Sequence, residues 1–319
     1  MNKKIIIGIS IFIISLFLFS AVGRSAEEFT KFYFSEELKP GHEVKWNVKA
    51  LELTGDFQKE MYFDIGDYNL TQGDTIIIKV EADPNTLPQP YGWQEEDWFD
   101  VYINDILVYD NSSEFYSDME DTADDDTYLM LPVWFIFPSQ FENSTGKYNV
   151  HELIYNELRT FENHTSESYT ETYSPYTNYY EYKFDFWPEL ESDAVSVNLN
   201  IFFNVTIVDS VNNEVYYINS WMKIIFRINK DGIADQYYMN AKVESRMPAD
   251  ASLSVTLQED DGLEVGNGTV EFSVVRQGYT PPATAGGGGE NTLVIPYPLI
   301  APIVGIFAIG TVILRRKRN

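Results

Sequence analysis

From residue 195 to residue 207 the chain alternates. Val195, Val197, Leu199, Ile201, Phe203, Val205 and Ile207 take the odd places, and Ser196, Asn198, Asn200, Asn204 and Thr206 take even ones. Successive side chains of a strand point to opposite faces, so a period of two predicts a long antiparallel strand with one wet face. Asn212-Asn213 supplies a turn, and the next stretch buries Tyr216, Ile218, Met222, Ile224, Phe226 and Ile228. Asp231-Gly232 is a strong hairpin signal and leads into Ile233, Tyr237, Met239, Ala241 and Val243. Further strands are expected at Leu253, Val255 and Leu257 and at Val270, Phe272 and Val274.

The first half of the chain has the same character. Val44, Trp46 and Val48 alternate, as do Met61, Phe63 and Ile65, then Ile76, Ile78 and Val80. Phe99, Val101 and Ile103 pass through Asn104-Asp105 into Ile106 and Val108, which predicts a tight hairpin. Residues 163–179, rich in Ser, Thr, Glu and Tyr, read as a long loop, and Tyr180, Tyr182, Phe184 and Phe186 begin the return to sheet. One amphipathic helix is expected at 150–161. Val150, Leu153, Ile154, Leu158 and Phe161 share one helical face there, after Asn149 as cap. The fold class is therefore mainly β. It is either one large, curved antiparallel sheet around that helix or a pair of β-sandwiches split near 140–165.

The two ends change this picture. Residues 1–23 combine Lys3 and Lys4, an apolar run from Ile5 to Phe19 and the small-residue stretch Ala21-Val22-Gly23, which is the form of a signal peptide. Residues 293–314 form a second apolar run, followed at once by the basic tail 315–319. Basic flanks stay inside, so residues 24–277 are expected to be an extracellular ectodomain and the C-terminus cytoplasmic, in a single-pass cell-membrane protein. Residues 278–292, with four consecutive glycines, form the stalk between them.

Of 22 basic and 49 acidic residues, six basic ones lie at the ends, leaving 16 against 49 between them, a net of −33. Such a field argues against nucleic-acid partners. Cysteine is absent, which excludes disulfides, thiol catalysis and Cys-ligated zinc.

Six Asn-x-Ser/Thr sequons, at Asn69, Asn111, Asn143, Asn163, Asn204 and Asn267, are expected glycosylation sites. Acidic clusters occur at Glu95-Glu96-Asp97 with Asp100, at 118–126 and at Glu259-Asp260-Asp261. They read as solvated loops, with calcium the one ion their oxygens would suit, although 118–126 lacks the alternating spacing and glycine of an EF-hand loop. No cofactor and no catalytic residue is expected. His42, His151 and His164 show no metal spacing and no Gly-x-Ser-x-Gly elbow is present. Pairs drawn from Glu95, Asp97 and Asp100 would suit glycoside hydrolysis only if they converge. Trp93, Trp98, Trp134, Phe135, Phe137, Trp187 and Trp221 could pack a core or line an apolar cavity. Trp93 and Trp98, beside Pro84, Pro88 and Pro90, could instead be exposed aromatics for a sugar or a partner.

The tail, with Ile295-Pro296-Tyr297-Pro298, an apolar helix and Arg315-Arg316-Lys317-Arg318, resembles the C-terminal sorting segments of archaeal surface proteins. Some of those are cut and moved to a lipid. The Pro-Gly-Phe form of that motif is absent, so plain insertion is the alternative. The ectodomain resembles the archaeal choice-of-anchor surface family through Tyr102-Ile103-Asn104-Asp105 and through Trp221, Gly232-Ile233 and Tyr237-Tyr238. The resemblance implies a β-rich surface module and no particular reaction. The function expected is a non-catalytic, glycosylated surface protein with a binding, adhesion or envelope-structural role, with envelope components as partners. The alternatives are a carrier or sensor of an apolar, lipid-like ligand and a surface glycoside hydrolase.

Overall fold

The computed structural model describes residues 29–282, apart from 56, 61–62, 90–91, 116–134 and 247–266. The strands are β1 (Lys31–Tyr33), β2 (Glu43–Leu53), β3 (Asp64–Ile65), β4 (Tyr68–Asn69), β5 (Thr75–Val80), β6 (Phe99–Ile103) and β7 (Ile106–Tyr109). After these come β8 (Gln140–Asn143), β9 (Gly146–Asn149), β10 (Asn163–Tyr173), β11 (Tyr176–Leu190), β12 (Ala194–Asp209), β13 (Glu214–Asn229), β14 (Ala234–Arg246) and β15 (Gly268–Arg276).

Ten of them form one antiparallel sheet in the order β10-β11-β12-β13-β14-β15-β2-β5-β6-β7. Hairpins join β10 through β14 in sequence, as the long alternating segments require. The pairing of β15 with β2, which sets Phe272 opposite Leu51, then ties in strands from the other side of residues 140–165. A small sheet, β1-β8-β9, and the hairpin β3-β4 stand apart from it.

Pairing fixes which side chains share a face. Phe186, Leu199, Ile224, Met239, Phe272 and Leu51 form one row across six strands, and all but the half-buried Leu51 are buried. That face carries the main core. Phe63 stacks on Phe272, with ring centroids 4.3 Å apart. Trp46 lies 4.7 Å from Phe135 and donates its indole N–H to the Ala234 carbonyl at 2.6 Å. The helix Val150–Leu158 buries Val150, Ile154 and Leu158 and packs on β11 and β12. Beyond the main core, Val205, Ile207 and Tyr216 form a second cluster on the same face with Tyr176, Tyr180 and Phe203.

Turn chemistry follows the sequence. Asn104, Asn213 and Gly232 all take positive φ at the three expected turns. Asn149 stands at the helix N-cap in extended conformation, but its side chain makes no capping bond. Its amide donates instead to Glu152 and its oxygen accepts from Gln140.

Two expectations are corrected. Residues 163–179 are not a loop, since β10 and the start of β11 run through them. The segment lacks apolar alternation because β10 is the sheet's edge and most of its side chains stay half-buried or exposed. Its Thr and Tyr residues supply β propensity, and Tyr169 stacks on Tyr180 at 4.5 Å. Of the strand expected through Met61, Phe63 and Ile65, the described residues hold the two-residue β3, with a helical turn at Phe57–Glu60 before it, and Met61 lies outside the described residues. No helix among the described residues is long and apolar enough to cross a membrane. The signal 1–23, the anchor 293–314, most of the stalk and the strand expected at 253–257 lie outside the described residues.

Candidate functional site

Trp93 and Trp98 are not exposed. Trp98 is completely buried, donates its indole N–H to the Trp93 carbonyl at 2.7 Å and meets Phe99 edge-on. Phe34 contacts both tryptophans, and Phe32 extends the chain of rings to Phe141. Phe135 and Ile136 are buried as well, held against Gly232–Ala234 by backbone bonds and the Ile136–Ile233 bridge. These aromatics are core. Trp134 lies outside the described residues.

The carboxylates do not converge. Glu95 and Asp97 are exposed, and Asp97 accepts from the Ser113 hydroxyl at 2.8 Å. Asp100 sits on β6, where partial burial and then Glu81 push its carboxyl above the ordinary range. Asp64 is also pushed up by burial, but in the separate hairpin β3-β4. Among the described residues no group of three or more His, Asp and Glu side chains could hold a metal ion, and the clusters at 118–126 and 259–261 lie outside them. A cleft of about 480 Å³ is lined by Glu37, His42, Glu43, Lys45 and Arg276, with acids and bases already paired: Glu43 with Lys45 at 2.7 Å, and Glu37 with Arg276.

Arg276 belongs to a larger network. Arg227 of β13 is gripped on both sides, by Asp235 at 2.7 Å and by Glu191 through two bonds of 2.6 and 3.2 Å. Asp235 also accepts from Asn229 at 3.0 Å and from Arg276 at 3.4 Å. The Tyr279 ring lies 5.0 Å from the Arg227 guanidinium. This closes the sheet's second face where the chain leaves β15. A buried ion cluster with its donors satisfied fixes geometry more than it adds stability.

Further along, the same second face opens to solvent, and register orders it into rows. Lys183, Phe202, Trp221 and Lys242 stand side by side on β11, β12, β13 and β14. On one side lies the row Asp185, Asn200, Lys223 and Asn240, and on the other Glu181, Asn204, Asn219 and Glu244. One row beyond, Tyr179 and Tyr217 flank Thr206. Trp221 is 37%, Tyr217 38% and Tyr179 48% exposed, so three large rings of one strand face meet water. Lys183 lies over the Phe202 ring at 5.4 Å and pairs with Glu181 at 3.1 Å, while Lys242 pairs with Glu244 at 2.5 Å. Lys223 makes no ion pair, and the amides of Asn200 and Asn204 no hydrogen bond, with any described residue. The Asn219 oxygen is buried without a partner.

The sequons divide by position. Asn69, Asn163 and Asn267 are exposed at strand ends, Asn111 is half-buried shortly after β7, Asn143 is half-buried at the end of β8, and Asn204 is half-buried within β12. The hydroxyls of Thr145 and Thr165 each donate to their own sequon asparagine at 2.7 Å.

The open face was only partly legible. Trp221 and the polar places of β12 stand out in the sequence, but the lysine rows arise from pairing four strands whose registers no single strand states. Three lysines on the polar positions of consecutive strands, in so acidic a chain, were the available signal. No protein family, curated protein or solved structure matches this chain.

Proposed function

We propose that the chain is a non-catalytic, membrane-anchored, N-glycosylated surface protein with a binding, adhesion or envelope-structural role. The signal 1–23 exports it and the apolar segment 293–314 holds it, with the basic tail 315–319 in the cytoplasm. The stalk 278–292 begins directly after β15, so the sheet stands close to its tether.

The observation that carries this reading is the asymmetry of the large sheet. One face is filled by the core, while the other leaves Tyr179, Tyr217 and Trp221 in contact with water. Rigid planar side chains on a regular strand face give contact area at small entropy cost, and such exposure is what recognition surfaces use. Sequons at exposed strand ends agree with export.

Protease applied to intact cells tests the reading. The region between residues 29 and 282 is expected to be digested while the tail stays with the membrane. Sparing of that region in intact cells, with its release in cytosolic extracts, would overturn it.

A further inference from the structure

We propose that the outer edge of β10 pairs with the β10 edge of a second copy of this chain, antiparallel and centred on Ser168, joining two ten-stranded sheets into one. This rests on the reading of the chain as a surface binding or adhesion module and names its partner.

The large sheet has two edges, and they differ in how they meet a further strand. At one edge β7 is four residues long, and a register irregularity between Val101 and Tyr102 breaks its pairing with β6. Short edge strands and bulges discourage the addition of another strand. At the other edge β10 has neither device. It runs eleven residues, Asn163–Tyr173, in unbroken register with β11, and contains no lysine, proline or glycine. Among the described residues β11 is its one neighbour in the sheet, and no backbone bond from outside that ladder reaches it. Alternate residues of such a strand turn their N–H and C=O away from the sheet, as a template for a further strand.

The sequence of β10 suits a copy of itself. Around a two-fold axis the residues that stand opposite have numbers of constant sum, and both must be odd or both even to share a face. Centring on Ser168 pairs all eleven residues. On the face shared with Glu181 and Lys183, Ser168 meets Ser168, Ser166 meets Thr170 and His164 meets Thr172. On the other face Glu167 meets Tyr169, Thr165 meets Glu171 and Asn163 meets Tyr173. Opposed hydroxyl side chains are favourable neighbours, whereas like charges directly opposite are destabilising. Centring on Glu167 pairs 163–171 alone and sets Glu167 against Glu167. Centring on Tyr169 pairs 165–173 alone and sets Glu167 against Glu171 twice. Registers further off pair fewer residues still. The longest register is thus also free of opposed carboxylates.

The chain carries −27, so two copies repel at a distance, but that field decays over about 8 Å at physiological salt. β10 brings Glu167 and Glu171 and no lysine or arginine, so added salt should strengthen the contact. A contact built on ion pairs would weaken instead.

The test uses the full chain in detergent, made in a host without N-glycosylation and checked by intact mass so that Asn163 is bare. The chain has no cysteine, so a single introduced one can form a disulfide only between copies. Ser168→Cys, exposed on β10, is oxidised with copper phenanthroline. Opposite residues of antiparallel strands have Cα atoms about 4.5–5.5 Å apart, within disulfide reach. Ser168→Cys should therefore give about tenfold more dimer than Leu107→Cys on the β7 edge. Ser166→Cys and Thr170→Cys should each crosslink poorly alone, being offset from their own copies by four residues, about 13 Å. Mixed together they should form a heterodimer. Yields should rise from low to physiological ionic strength. All four variants lie outside the core, and near-ultraviolet circular dichroism confirms their fold. Ser168→Cys giving no more dimer than Leu107→Cys, Ser166→Cys crosslinking alone as readily as in the mixture, or yields that fall with salt overturns the proposal. Because the protein is isolated, this failure is separate from a failure of export, which protease on intact cells reads alone.

Discussion

Arg227 and Asp235, on adjacent strands β13 and β14, meet at 2.7 Å with 8% and 5% of their surfaces exposed. Desolvating two charges costs more than a surface pair returns, so the contact survives only because Glu191, Asn229 and Arg276 satisfy the remaining groups. Its position explains its use. It fastens the end of β13, the start of β14 and the end of β15 at the point where the chain departs toward the stalk.

Removing one partner should therefore cost more than removing both. Arg227→Ala leaves Asp235 buried with its Oδ2 stripped of the Arg227 donor while Asn229 and Arg276 still reach Oδ1, and a loss of about 3–5 kcal/mol is expected. The double variant Arg227→Met with Asp235→Leu should recover a large part of that loss. Urea unfolding of the full chain in detergent checks the ranking.

Gly232 and Gly41 both hold positive φ, at 75° and 83°, but only one is crowded. A Cβ at Gly232 would fall 2.2 Å from the Phe137 carbonyl oxygen, whereas one at Gly41 meets nothing within 4 Å. Gly41→Ala should then cost about 1 kcal/mol for the left-handed backbone alone. Gly232→Ala should cost clearly more, because the Asp231-Gly232 turn must part from residues 137–138. The shift in urea midpoint of the two variants measures this.

Two histidines should respond to pH in opposite directions. His151 is buried with its Nδ1 unpartnered, and burial depresses its basicity. The folded state thus binds a proton less readily than the unfolded chain, and stability falls as pH drops below the ordinary histidine value of about 6.5. His164 is exposed. Its hydrogen bond to Asp185 at 2.9 Å raises its pKa, aided by the bond to Glu162. Its small contribution is complete below the ordinary histidine value and fades as pH rises through the raised one. Imidazole resonances followed by NMR should titrate below the ordinary value for His151 and above it for His164. Asp185→Asn should lower the His164 midpoint.

Glycan occupancy should follow exposure. Asn163 and Asn267 stand open at strand ends, whereas Asn204 lies within β12 between Glu181 and Asn219. Peptide mapping of native protein should find Asn163 and Asn267 more fully occupied than Asn204. Equal occupancy at all three would show that modification precedes formation of the sheet.

Local alternation was enough to find β12 and β13, because each buries every second side chain along most of its length. The turns at Asn104, Asn213 and Gly232 were equally readable, since few residues accept positive φ. Edge strand β10 was missed because an edge has one neighbour and little to bury, so its sequence is polar at nearly every place. Trp93 and Trp98 were ambiguous for another reason. Nearby acids and prolines suggest a surface loop, yet Phe32 and Phe34 arrive from the distant segment around β1 to enclose them. The Arg227 cluster unites residues from 37 to 279, and no spacing in the chain announces such a meeting.

The chain contains no cysteine, so single introduced cysteines can report on each face of the sheet without background. Tyr179→Cys and Tyr217→Cys on the open face, and Ile224→Cys on the filled face, are treated on intact cells with a membrane-impermeant maleimide. The first two should label at once, and the third only after denaturation. Labelling of the tyrosine positions only after lysis, or of Ile224→Cys as readily as the others, would contradict an outward-facing sheet with one bare side.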